Sequence, residues 1–107
     1  MIEVIHGSQN VYADLGFPDA EEMFVKAKLV TKIRQIIKDR GWTQKQAGTV
    51  LGMPQPKLSK MLNGQFRGIS EAKMLECLAR LGRDVQIVVG PERDSTEAGH
   101  VNVIFAA

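Results

Sequence analysis

Residues 43–64 read TQKQAGTVLGMPQPKLSKMLNG, two short helical patterns separated by Gly52-Met53-Pro54. Thr43 and Gln46 make a Thr-x-x-Gln capping box, in which the hydroxyl and the amide each satisfy a backbone N–H that the first helical turn leaves unpaired. Ala47, Val50 and Leu51 then form an inward stripe, and Gly52 is the residue type that closes a helix in the left-handed conformation. A second helix is predicted from about Gln55 to Asn63, with Leu58, Met61 and Leu62 inward and Gly64 ending it. Two helices joined by so short a turn have the footprint of a helix-turn-helix. Its steric requirements are met by Gly48 where the helices cross, Gly52 at the turn, and Leu51, Leu58 and Met61 toward the core.

Outward from this unit the chain remains helical on both sides. Asp19 and Glu22 form an Asp-x-x-Glu pair that predicts a helix from near Ala20. Met23, Ala27, Leu29, Val30, Ile33, Ile36 and Ile37 give that helix a broad apolar face, with Lys28, Lys32, Gln35 and Asp39 opposite. Gly41 stops it, after Lys38 and Arg40 have placed positive charge at the negative end of the helix dipole. Beyond the central unit a last helix begins at Ser70, stapled by Ile69 and Met74. It continues inward through Leu75, Leu78 and Ala79 to Gly82. Cys77 lies within it as a small buried apolar residue.

At the ends the pattern changes. Residues 1–19 contain turn formers together with Gly16 and Pro18, and are predicted to be an acidic arm. From Asp84 the apolar period becomes two. Val85, Ile87 and Val89 alternate, a polar loop runs from Gly90 to His100, and Val101, Val103 and Phe105 alternate again, which predicts a β-hairpin over 84–107. A lone hairpin is marginal in water. A partner strand is therefore required, either the run Met1 to Ile5 or the same hairpin of a second subunit. The expected architecture is a mainly α protein: an acidic arm (1–19), a compact helical cluster (20–83) and a C-terminal hairpin (84–107) expected to build the dimer contact.

With 107 residues, 44% hydrophobic and 24% charged, the chain has the size and composition of one folded domain. No run approaches the roughly 18 apolar residues of a membrane helix, and the start lacks a signal peptide's basic and apolar regions, so a cytoplasmic protein without membrane association is expected. One cysteine and two histidines, His6 and His100, exclude a disulfide framework and the usual metal-ligand spacings. No acid/base pair, nucleophile arrangement or phosphate loop points to an enzyme, and no cofactor is expected. The net charge of +2 conceals a division along the chain, since residues 1–25 carry −5, residues 26–83 carry +10 and residues 84–107 carry −3. A basic centre suits a polyanion, and an acidic head suits either a basic partner or an intramolecular shield.

The sequence of residues 43–64 resembles the lambda-repressor/Cro family, also called XRE, over about Val30 to Leu81. The run NVYADLGFPDAEEMFVKAKLVTKI and the alternating C-terminus look more narrowly like small XRE-type regulators that include HigA-type antitoxins. Two departures from the family pattern stand out. Gly48 occupies a crossing position where alanine is usual, at a helix-propensity cost of about 1 kcal/mol, and Pro54 stands where Ser or Thr usually caps the second helix. Pro56 is compatible with a first turn, where the N–H has no intrahelical partner.

In such a unit the second helix enters the major groove by its N-terminal part while the first anchors to the backbone. With Leu58, Met61 and Leu62 inward, the residues left facing outward are Gln55, Pro56, Lys57, Ser59, Lys60 and Asn63. Gln55 has the geometry to read adenine, Lys57 or Lys60 to donate to guanine, and Pro56 to touch a thymine methyl. The resemblance implies that Gln44 and Asn63 hold phosphates, aided by Thr43, Lys45 and Arg67. It also implies a homodimer on palindromic double-stranded DNA and, for the antitoxin subgroup, a small basic ribonuclease as a second partner. Trp42 is expected to pack on the long helix. Tyr12 and Phe17 are apolar anchors that either fold back or dock on a basic protein. The competing possibilities are a stand-alone repressor and a helix-turn-helix used only for protein contacts.

Overall fold

Helix α1 spans Ala20–Asp39 and is the spine of the molecule. The computed structural model describes residues 2–4, 15–94 and 96–106. On α1, Met23, Val25, Leu29, Val30, Ile33, Ile36 and Ile37 are buried, as the helical period requires. It stops where the sequence predicts: Gly41 takes φ +65°, and the N–H of Trp42 donates back to the Ile37 carbonyl at 3.2 Å. Half-buried Trp42 packs against the core, with the Arg40 guanidinium 4.9 Å from its ring centre.

Three shorter helices pack on this spine: α2 (Gln44–Leu51), α3 (Gln55–Leu62) and α4 (Glu71–Arg80). Both bonds of the Thr43 capping box form, from Gln46 N–H to Thr43 Oγ1 at 3.1 Å and from Thr43 N–H to Gln46 Oε1 at 2.8 Å. The Ser70 hydroxyl accepts from the Lys73 N–H at 3.1 Å to start α4, and the Ile69–Met74 staple is buried. Ile33, Leu51, Leu58, Met61, Met74 and Leu81 are among the fully buried side chains, so every helix contributes to one core. Ala79, expected inward, is exposed, and Leu75 and Val50 are only half-buried.

The C-terminal hairpin does not form. Strand β2, Ile104–Ala106, pairs antiparallel with strand β1, Ile2–Val4, in the register Ile2↔Ala106 and Val4↔Ile104, so the pairing is with the N-terminal run. Val85–Val89 adopts no strand, and Ile87, Val88 and Val89 are 80, 84 and 90% exposed. The reason lies in how the tail is held. The Val101 N–H donates to the Glu21 carboxylate at 2.8 Å and Lys28 Nζ donates to the Val103 carbonyl at 3.1 Å. These bonds lay the tail along α1, and β2 takes β1 as its partner although residues 85–89 line the same hollow as the tail.

That docking also corrects the expected solvent face of α1. Lys28 is buried, with its ammonium on the tail carbonyl and 5.1 Å from the Phe24 ring. Lys32 is half-buried, 5.3 Å from the Phe105 ring. A lysine stem can lie under cover when its charged head finds a carbonyl. Of the expected arm, residues 5–14, with His6 and Tyr12, lie outside the described residues. Leu15–Asp19 turns into α1 through Gly16 at φ +78°.

Candidate nucleic-acid interface

The two helices of the central unit meet at Gly48. A Cβ there would lie 2.8 Å from the Met53 carbonyl oxygen, closer than van der Waals contact permits, so glycine permits this crossing. The Met53 N–H donates to the Gly48 carbonyl at 2.9 Å, which ties the turn to α2. Gly52 takes φ +64° and completes the reversal. The departure from alanine thus matches a backbone approach that leaves no room for a methyl.

Pro54 caps α3 without a side-chain bond and Pro56 lies in its first turn. The Leu58 N–H reaches the Pro54 carbonyl at 3.0 Å, so the helix starts cleanly despite the missing Ser or Thr. Because prolines occupy 54 and 56, neither contributes an N–H donor at the start of α3. With Leu58, Met61 and Leu62 buried, Gln55, Pro56, Lys57, Lys60 and Asn63 are exposed and Ser59 is half-buried.

Thr43 and Lys45 are exposed and Gln44 is half-buried at the start of α2. Lys45 and Gln55 line one open hollow with Gly48, Thr49, Gly52 and Met53, which brings a residue predicted to contact the DNA backbone beside one predicted to contact a base. Thr49 in this hollow was not among the predicted contacts. Its hydroxyl donates to the Lys45 carbonyl at 3.1 Å, four residues back, and nothing in its local spacing distinguishes it from an ordinary helix surface. Arg67 is exposed in the loop that follows α3 and is shared with Asp19 and Phe17 of the N-terminal turn.

Two arginines brace the unit from outside. The Arg34 guanidinium on α1 donates to the Leu62 carbonyl at the end of α3. Arg80 on α4 lies over Gly52, with Nη1 3.5 Å from the Val50 carbonyl, while Glu76 pairs with it at 3.2 Å. Glu76 is held below the usual carboxylate range by the Lys73 ammonium, which bonds it, and by Arg80. These contacts span 28 and 30 residues and leave no mark on local spacing. Cys77 is buried, and burial raises its thiol pKa above the ordinary value, which disfavours the nucleophilic thiolate. Among the described residues no group of His, Cys, Asp and Glu is placed to hold a metal ion, and no helix is long and apolar enough to cross a membrane.

Two short amphipathic helices, set at a crossing too close for a side chain and joined by a three-residue turn, define the helix-turn-helix class. The chain belongs to the helix-turn-helix domain family, whose model it matches over residues 11–90, and within it to the XRE type. A solved structure provisionally named an XRE family transcriptional regulator is 32% identical, with a TM-score of 0.75, over 83% of this chain and 100% of that one. No curated protein matches the chain.

Proposed function

We propose that the chain is a sequence-specific DNA-binding transcriptional regulator that acts as a homodimer on a palindromic operator. The observation that carries this is α3, whose inner face is buried in the core while Gln55, Lys57, Lys60 and Asn63 stand exposed. Unlike the mixed charges of an ordinary solvated face, residues 55–63 carry two lysines and no acid, which suits a polyanion. Gln55 and Lys57 near its start read bases, Pro56 and Ser59 lie alongside, and Lys60 supplies a further donor. Thr43, Gln44, Lys45, Asn63 and Arg67 hold phosphates on either side. The role needs neither a cofactor nor a catalytic group.

Within this reading the protein is the antitoxin of a type II pair that represses its own operon, its second partner being a small basic ribonuclease. The narrower sequence resemblance supports this, as does the net −5 of residues 1–25, which suits a basic partner. A neighbouring reading frame for a small basic protein that co-purifies with the chain is the expected result, and the lack of one leaves a stand-alone repressor. DNA binding itself is tested by selecting duplexes from a randomised pool with the intact protein. Enrichment of a two-fold symmetric motif is expected, and recovery of the unselected pool would contradict the proposal.

A further inference from the structure

Asp19 stands at the position before α1 where an Asp side chain ordinarily accepts from the first-turn N–H groups, yet it makes no such bond. Its Oδ2 instead accepts from Arg67 Nη1, while Oδ1 is buried without a hydrogen-bond partner among the described residues. The guanidinium also lies 5.6 Å from the Phe17 ring centre. The main chain of the loop is held as well, since Lys26 Nζ donates to the Arg67 carbonyl at 3.1 Å while pairing with Glu22 at 3.1 Å. The turn before α1 and its first turns therefore grip the residue that follows the end of α3 by five positions.

Arg67 nevertheless remains reachable from solvent, with its side chain 56% exposed against 28% for Asp19. An arginine paired with a carboxylate presents little net charge to a phosphate, and the carboxylate occupies a donor that the phosphate would use. We propose, on the basis of the DNA-binding reading above, that Asp19 is an affinity-setting residue. It acts through Arg67 as an internal stand-in for a DNA phosphate, so that the last backbone contact forms only when the Asp19–Arg67 pair opens. The acidic turn is then a shield for one cation of the basic centre. Glu22 and Glu21 are likewise engaged within the chain, with Lys26 and with His100 and the Val101 N–H.

The test is a double-mutant cycle, Asp19→Asn, Arg67→Ala and both together, in the full chain, read by anisotropy of a labelled duplex of fixed sequence at several salt concentrations. Asn caps a helix about as well as Asp, and Asp19→Ser, a shorter uncharged cap, repeats the measurement should the first variant fold poorly. Asp19→Asn should tighten binding by about fivefold at low salt, the weight of one charge contact in water. It should also steepen the logarithmic salt slope by about 0.9, one further phosphate. In the Arg67→Ala background the same change should move affinity by less than about twofold, since only the screened long-range field remains. Weaker binding by Asp19→Asn would make Asp19 a buttress of Arg67, and equal tightening in both backgrounds would make it a general repulsion; either overturns the inference while leaving DNA binding intact. Failure of the parent chain to bind any duplex would overturn the DNA reading and this inference with it.

Discussion

Gly48 shows how a single missing methyl sets the geometry of the reading unit. Ala at this position would gain about 1 kcal/mol of helix propensity. It would also force a Cβ to 2.8 Å from the Met53 carbonyl, an overpacking cost of about 1 to 3 kcal/mol. Gly48→Ala is therefore expected to destabilise the protein by about 1 kcal/mol in urea unfolding, and a stabilised variant would show that the crossing relaxes freely. At this scale the sequence is only partly legible. Glycine at the crossing was visible as a departure, but the carbonyl that excludes a side chain belongs to the turn's backbone. Lys28 read as a solvated face residue because its cover, the Val103 carbonyl, lies 75 residues away. Phe17 lies against the Arg67 guanidinium while its ring stays exposed, outside the core.

The four helices were legible because their starts and stops are encoded within a few residues. Thr43 with Gln46 and Ser70 with the Lys73 N–H form the caps, and Gly41, Gly52, Gly64 and Gly82 take positive φ where helices end. The strands were not, because period-two alternation reports a strand's tendency and not its partner, and polar hooks from Glu21 and Lys28 decide where the tail lies. The outward face of α3 followed from its inward one, so the candidate site was readable once Leu58, Met61 and Leu62 were placed. Gln55→Ala and Lys57→Ala are each expected to relax preference at one base pair and to cost about 1 to 3 kcal/mol of specific binding. Lys45→Ala should weaken all sequences alike. Selection from randomised duplexes by each variant checks this; an unchanged motif for the Gln55 and Lys57 variants would mean that another surface reads the bases.

At the scale of the whole molecule, the buried core runs from Met23 to Leu81, so a chain ending after Leu81 retains the helical cluster. What it loses is the tail with exposed Ile87, Val88, Val89, Val101 and Ile104, the segment expected to build the dimer contact. Reading helices set about 34 to 36 Å apart would then match half-sites one turn of DNA apart. The shortened chain should sediment as a folded monomer, and a dimer would move the contact to α1 or the N-terminal segment. The central claim is that the basic unit around α3 binds operator DNA. It is tested most directly by anisotropy of the intact protein on the DNA upstream of its own gene, titrated with salt. Release of counterions by Lys and Arg predicts that binding falls steeply and linearly on a logarithmic scale as salt rises; binding insensitive to salt, or none to that DNA, would contradict it.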